Sequence, residues 1–592
     1  MTVATLDPSQ QLASNVPIDE RQIVIAGPGS GKTQVVSALV EHLVGEEGAD
    51  PTYGVLVISF SNAAVHAVDA RLRAQGIPPA QVQTLDSLAA DFVREESDAD
   101  VGVLSFDERI RLADSLLRKS GWQRLQMLDH VIVDEFQDIV GDRADFLLRL
   151  LKSLSPDAGF TVLGDPAQGI YDFQLRESAG SSEGSATTSS DLLEAVRRFR
   201  GVSVRELTGQ HRAQSREAKS AAALRGSVLA GGSDLDRFMS SIARAGDVAA
   251  LAPQVNQWQG STCFLTSNNG QALLVADTLE MNGVDAVVER GPRHAVVAAW
   301  VARVMNACGS RFVSREKFMD AASNVAPNED PSELWRAVRA ISGATASDLD
   351  VEVLARSLTR RRPLLPALQD RSELRVRVST IHRAKGLEFD NVVLVNFLEK
   401  HWLAPGPDQD VARTSFVAVT RARRLLASAD GPDDRMLRRV GPKGHTRWFV
   451  SGPKSWMTFG VELRPNDFER SEPPGDDAAS AQAVLNDLVA LRGVRLQFRL
   501  DPRRSSLKVP VYAASVDDAV VAHTSQEFGE DLARRIGDRQ TGRSPWPALG
   551  DARLESIGTV ASSAKAGEVG RHGLWLAPVA AGMVQVRWDS GS

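Results

Sequence analysis

The chain has 592 residues, a formal net charge of −7 and two cysteines, Cys263 and Cys308, which together suggest about four globular domains and exclude a disulfide scaffold or a multi-cysteine zinc site. No apolar run is long enough to span a membrane and the N-terminus lacks a basic-then-apolar leader, so we expect a cytoplasmic protein with no membrane partner. The acidic balance still leaves room for nucleic acid, because a local basic channel is enough; Arg360-Arg361-Arg362 and Arg421, Arg423 and Arg424 are local clusters.

The first element of note is Leu6 to Gln10. The Gln10 amide can donate to and accept from an adenine edge at once, which would select ATP. Ile23-Val24-Ile25 then reads as a buried parallel strand, and Val36, Leu39, Val40 and Leu43 recur at helical spacing. Between them lies Ala26-Gly27-Pro28-Gly29-Ser30-Gly31-Lys32-Thr33, with Ala26 where a strict P-loop has its first glycine. Gly27, Gly29 and Gly31 let backbone N–H groups turn inward on a phosphate chain, and the helix N-terminus adds partial positive charge. Lys32 supplies a point charge at the β/γ-phosphates, and the Thr33 hydroxyl suits Mg²⁺.

Val55 to Phe60 reads as a second strand, and Phe60-Ser61-Asn62 at its carboxyl end could stack and hold a base. Val82 to Ser87 offers hydroxyls, Thr84 among them, for phosphates. Val131-Ile132-Val133-Asp134-Glu135 delivers two carboxylates to a strand end: Asp134 for Mg²⁺, Glu135 to orient and activate the attacking water. Gln137 and Asp138 extend the motif. The strand Phe160 to Leu163 leads to Gly164-Asp165 and Gln168, a candidate γ-phosphate sensor, with Tyr171 and Phe173 placed to face a single strand of nucleic acid. Ser178 to Ser190 is a flexible Ser/Gly/Thr loop by composition, and a helix from Leu192 to Phe199 precedes Leu207 to Arg212.

In this order, over roughly residues 5 to 428, the motifs resemble superfamily 1 helicases of the UvrD/Rep/PcrA type. Phe264 to Asn268 is similar to the start of that family's second RecA-like domain, Val378 to Phe389 to its fifth motif and Val419 to Arg423 to its sixth. The resemblance implies ATP and Mg²⁺ as cofactors and 3′ to 5′ movement. Arg212 and Arg421 become the cationic fingers on the γ-phosphate, Glu388 a ribose contact, and Thr380 and His382 nucleic-acid contacts. The bottom-up argument agrees, since guanidinium groups stabilise the charge that phosphoryl transfer spreads over the equatorial oxygens. Four positions depart from the family pattern: Gln34 and His211, which flank the base, replace Arg and Tyr, while Asp86 replaces His and Gln174 replaces Arg.

We expect an α/β fold with two RecA-like P-loop domains on parallel sheets, small helical inserts and a C-terminal α+β domain. The domains would be 1–205, with an insert at about 90–128; 206–465, with an insert at about 300–374; an acidic, Pro- and Ser-rich linker, 466–481; and 482–592. That last part reads as a helix from about 482, an alternating strand over Val494 to Leu500, strands at Val509–Tyr512, Ala519–Ala522 and Val584–Trp588, and a capping box at Thr524–Glu527. It carries no carboxylate–lysine nuclease cluster and no zinc motif. The expected function is an ATP-dependent translocase or helicase on single-stranded or tailed duplex DNA, in repair, recombination or anti-phage defence, with a nuclease or repair factor as partner for the C-terminal domain. The alternative is a nucleic-acid-gated ATPase that regulates a partner nuclease, motivated by the small inserts and the unassigned C-terminal domain.

Overall fold

The computed structural model describes residues 5–588 apart from 60–64, 66–67, 69–71, 73–75, 77–80, 173–174, 176–184, 232–233, 290–295, 343–347, 361–364, 371–373, 398–407, 443–444, 455–456, 475–476, 492, 537–545, 563–568 and 571. By internal contacts the chain forms two compact units: Met1–Arg244 with Ala384–Ser428, and Ala245–Arg383 with Ala429–Ser592.

The first unit is built on six strands, β1 (Arg21–Ala26), β2 (Val55–Ser59), β3 (Gln81–Thr84), β4 (His130–Asp134), β5 (Gly159–Gly164) and β6 (Ser203–Leu207), in the order β3-β2-β4-β5-β1-β6. Every pairing is parallel. The central strands are buried at nearly every position because both faces are covered. Alternate residues serve opposite faces. Val24, Val57, Ile132 and Leu163 pack under the helix α2 (Lys32–Gly45). Ile23, Ile25, Ile58, Val133 and Val162 pack under Leu85–Glu96, Phe106–Lys119, Asp142–Lys152 and Ser189–Arg197. The first two of those helices fall largely within the stretch expected as the first insert, about 90–128. Segment 384–428 adds the strand Phe389–Val395 and the helix Asp408–Val419.

At the amino ends of the strands, His130 is fully buried. Its Nδ1 lies 2.8 Å from the Ile18 carbonyl oxygen, and its Nε2 lies 2.9 Å from the Thr161 hydroxyl, which also accepts from the Gln22 amide at 3.1 Å. Burial lowers the imidazole pKa to about 4 against the opposing pull of the Ile18 carbonyl and Glu20. The ring is therefore neutral at pH 7, with Nδ1–H donating to Ile18 and Nε2 accepting from Thr161.

The second unit holds the parallel strands Thr262–Thr266, Val376–Thr380 and Ala286–Val288. Four helices, Ala299–Cys308, Arg315–Val325, Pro331–Ser342 and Val351–Arg360, lie in the stretch expected as the second insert. They are not an isolated appendage. Val297–Ala298 pairs with Ala552–Ala561, and one continuous core runs from Val301, Phe318, Trp335 and Leu354 to Phe498, Tyr512, Phe528 and Leu576. The C-terminal strands are antiparallel throughout. A further antiparallel sheet joins Leu437–Val440, Arg447–Ser451, Thr458–Leu463, Gly582–Arg587 and Ala548–Leu549.

Some local expectations shift. Ser525, not Thr524, caps the helix Gln526–Ile536, accepting from the Phe528 N–H, because the Thr524 hydroxyl accepts from the Tyr512 N–H at 2.9 Å. The strand expected from Val509 begins at Tyr512, and the helix expected from about 482 begins at Ala478. Within 466–481, Asp467 is buried against Arg447, and the Glu469 N–H donates to the His523 carbonyl.

Candidate nucleotide site

Four neighbouring strands of one parallel sheet deliver the site at their carboxyl ends, where open α/β sheets bind ligands. β1 runs into the P-loop, β4 ends at Asp134, β5 leads to Asp165 and Gln168, and β6 leads to Gln210, His211 and Arg212. Gly29 and Gly31 have φ of +78° and +83°, in the left-handed region that L side chains avoid. Thr33 and Gln34 lie in the first turn of α2, and the Ser30 hydroxyl donates to the Gly27 carbonyl at 2.9 Å.

Two segments clamp this loop. Gln10 is fully buried in the helix α1 (Pro8–Ser14); its amide nitrogen donates to the Ser30 carbonyl at 2.9 Å and its oxygen accepts from the Asp7 N–H at 3.0 Å. One N–H and one lone pair of that amide remain for a base edge. From the other side, the Gln210 amide donates to the Pro28 carbonyl at 2.7 Å, and the His211 N–H donates to the Gly29 carbonyl at 2.8 Å. His211 Nε2 lies 2.7 Å from Asp7 Oδ2. Burial pushes the Asp7 carboxyl up, but hydrogen bonds from Ser9, the Gln10 backbone and His211 outweigh it and hold the pKa at about 2.

Lys32 Nζ lies 3.2 Å from Glu135 Oε2. Glu135 has φ of 56°, an uncommon conformation for a non-glycine residue. The Gln137 amide donates to the Glu135 carboxylate and accepts from the Asp165 N–H at 2.9 Å. Burial raises the Asp134 carboxyl, and the adjacent Glu135 charge raises it further. Glu135 shifts the other way: burial pushes it up, but Lys32 and Lys385 outweigh that and hold it below the usual carboxylate range.

Arg421 is fully buried and donates to the Val417 and Leu387 carbonyls, at 2.9 and 3.1 Å, and to the Gln168 amide oxygen at 3.2 Å. Burial and the nearby Arg212 lower its pKa to about 9. The Gln168 amide nitrogen donates to Asp165 at 2.9 Å. Arg212 Nε lies 2.5 Å from Glu388 Oε2, and its Nη1 is buried with no hydrogen-bond partner among the described residues. Arg423 also pairs with Glu388. Burial lowers the Arg212 pKa, against the attraction of Glu135. The buried Lys385 ammonium donates to Asp138 and the Gln168 carbonyl and lies 5.3 Å from the centre of the Tyr171 ring.

These residues suit a magnesium nucleotide. The orphaned Arg212 Nη1 wants an anion in a basic, glycine-lined cradle. Ser59, in register with Asp134 on the neighbouring strand, has a buried hydroxyl with no hydrogen-bond partner among the described residues. Among the described residues no cluster of three or more His, Cys, Asp or Glu side chains could cage a metal. One carboxylate and one hydroxyl, Asp134 and Thr33, would suit an Mg²⁺ that keeps several waters and takes its other ligands from phosphate oxygens.

The nucleic-acid residues are less gathered. Phe60, Asn62 and Phe173 lie outside the described residues, as does Gln174. Thr84 caps the helix Leu85–Glu96, accepting from the Ser87 N–H at 3.2 Å. Tyr171 is part of the Lys385 network. Thr380 and His382 belong to the second unit, at the end of one strand and in the short helix after it. Asp86 forms a two-point pair with Arg143.

Comparison with known proteins gives two matches in the regions that carry these motifs. Residues 10–174 match the AAA domain family model, and residues 375–427 match the UvrD-like helicase C-terminal domain. Both matched segments lie within the stretch whose motif order resembles superfamily 1 helicases. A probable DNA helicase II homolog of Mycoplasma capricolum is 36% identical over 63 residues, which is 11% of this chain and 9% of that protein. The chain thus matches about a tenth of the length of that relative. A crystal structure of Pif1 helicase from Bacteroides with ADP-AlF3 and ssDNA aligns with 72% of this chain and 92% of that one, at 15% identity and a TM-score of 0.35. So loose a likeness places no residue here.

Three features of the site lie outside the family motifs as read in the sequence. Gln210 precedes His211-Arg212, and its position was the only signal. Ser59 sits one residue before Phe60. Arg225, whose Nε donates to Asp165 at 2.8 Å, has no motif around it.

Proposed function

We propose that the chain is an ATP-driven motor on single-stranded DNA, a translocase or helicase moving 3′ to 5′, in DNA repair, recombination or anti-phage defence. One juxtaposition carries this reading: Arg421 contacts Gln168 and Arg212 lies over Gly29, around the Lys32–Glu135 pair.

Asp134 and Thr33 would hold an Mg²⁺, which would supply neutralisation of the phosphate charge. Lys32 exchanges Glu135 for the β/γ-phosphates. Glu135, freed and ionised, orients the attacking water and takes its proton. Arg212 and Arg421 stabilise the charge that develops on the equatorial oxygens, Arg212 leaving Glu388 to do so. Gln168 reports the γ-phosphate to Tyr171 through Lys385, which donates to the Gln168 carbonyl and faces the Tyr171 ring. Phe60, Tyr171 and Phe173 grip and release stacked bases.

ATP turnover with and without single-stranded DNA and RNA, run beside strand displacement on tailed duplexes, tests the reading. DNA-stimulated turnover with 3′-tail-dependent displacement is expected. No stimulation by either nucleic acid overturns it.

A second reading, a nucleic-acid-gated ATPase that regulates a partner nuclease, draws on the second insert. Its helices share a core with the C-terminal strands, which leaves less free surface for duplex DNA. Stimulated turnover without displacement on either tail selects this reading.

A further inference from the structure

Arg225 opens the short helix Arg225–Leu229 and touches three parts of the nucleotide site. Its Nε donates to Asp165 Oδ1 at 2.8 Å, and its Nη1 donates to Glu206 Oε1 at 2.8 Å. Its Cδ lies so close to Gly27 that a Cβ there would sit 3.3 Å away. Asp165 is fully buried. Its other oxygen accepts from the Gln168 amide at 2.9 Å, and Oδ1 also accepts from the Ala167 N–H at 3.1 Å. Gln168 then offers its amide oxygen to Arg421. The connected path is Glu206, Arg225, Asp165, Gln168, Arg421.

A terminal amide has two orientations that differ only in which end carries the oxygen. Asp165 decides between them here: an ionised carboxylate accepts only, so the Gln168 N–H faces it and the oxygen faces Arg421. Asp165 can do this while buried only if a cation compensates its charge. Arg225 is that cation, and its planar fork holds the carboxylate in one rotamer by anchoring on Glu206.

We propose that Arg225 is a positioning residue for ATP hydrolysis, fixing Asp165 and through it the side chain of Gln168. The proposal rests on the nucleotide reading above. It predicts an effect on the chemical step and not on nucleotide affinity, because the Arg225 guanidinium bonds Asp165, while only its aliphatic stem, which Arg225→Met largely keeps, packs on Gly27.

The test uses the full chain with saturating single-stranded DNA. ATP turnover and binding of a fluorescent ATP analogue are measured for wild type, Lys32→Ala, Arg225→Met, Arg225→Lys and Glu206→Gln. We expect Arg225→Met to lower kcat by about 10- to 10²-fold with analogue affinity unchanged. Arg225→Lys should recover part of the loss, since an ammonium compensates Asp165 but cannot span to Glu206. Glu206→Gln, at an exposed position, should lower kcat less, in the same pattern. If Arg225→Met does not fold, the Lys and Gln variants decide through the same separation of kcat from affinity. Wild-type kcat in Arg225→Lys and Glu206→Gln, or weakened analogue binding with kcat retained, overturns the proposal while leaving the nucleotide reading standing. Wild-type protein with no more turnover than Lys32→Ala overturns both.

Discussion

Lys32 Nζ sits 3.2 Å from Glu135 Oε2, so the P-loop cation closes on the carboxylate assigned as the base. In the proposed reaction each would exchange this contact for another. Lys32→Ala removes the charge at the phosphates and should abolish turnover. Glu135→Gln keeps the shape and loses the base, so ATP should remain bound while turnover falls by about 10²-fold or more. Equilibrium binding and turnover measured on the same preparations check this. Wild-type turnover in Glu135→Gln would falsify the assignment of the base.

How much of this was legible in the sequence depends on whether a residue acts through neighbours in the chain or across it. The P-loop, Asp134-Glu135 and the parallel strands were legible because strand, turn and helix periodicities are local. The Gln10 clamp was half legible: its place upstream of the P-loop was clear, but the contact with Ser30 spans 20 positions of chain. Arg225 was not legible, because its partner Asp165 is 60 positions away and nothing in Leu224-Arg225-Gly226 marks it. The shared core of the second insert and the C-terminal strands was hidden for the same reason, since Ala302 and Thr559 meet across 257 positions. Thr524 was misread as a cap because a hydroxyl one residue along, Ser525, fits the same local pattern.

Gly31 tests the cradle itself. Its φ of +83° strains any L side chain, and a Cβ would fall 2.3 Å from the Gln10 amide nitrogen. The left-handed conformation alone costs about 1–2 kcal/mol. Gly31→Ala should therefore weaken ATP binding by roughly tenfold or more, since each 1.4 kcal/mol is a factor of ten. Titration with a fluorescent ATP analogue reads the loss. Retained affinity would mean that the loop can relax away from Gln10.

His130 gives the first unit a pH dependence of defined sign. Its folded pKa, about 4, lies below the ordinary imidazole value of 6.5, so between these limits the unfolded chain binds the extra proton. Stability from this site is present in full above about pH 6.5 and falls as the pH drops towards 4, by up to about 3 kcal/mol. Carboxylates titrate in the lower part of the same range, so the measurement is a difference. Denaturant unfolding of wild type and His130→Gln from pH 7 to pH 4 should show the gap between them narrowing with acid. A constant gap would mean that the ring takes up its proton equally readily in the folded and unfolded chain.

Arg447 holds the second unit together from inside. It is fully buried, donates to Asp467 through both terminal nitrogens and to Asp531 through Nε, and gives a further bond to the Glu462 carbonyl at 2.7 Å. Burial lowers its proton affinity, but the two carboxylates more than reverse this and keep the guanidinium charged. Burial also raises the Asp467 carboxyl, even with Arg447 beside it. Arg447→Met would take the bonded guanidinium from buried Asp467 and leave Asp531 with Arg534 alone, and breaking such a buried pair typically costs about 3–5 kcal/mol. The transition that reports the second unit in urea should move accordingly. Removing all three charges, as Arg447→Met with Asp467→Asn and Asp531→Asn, should recover much of the loss, because the penalty comes from the uncompensated carboxylates. If the triple variant is no more stable than Arg447→Met alone, the cost lies in lost packing against the Phe528 ring, 5.2 Å from the guanidinium, and not in charge.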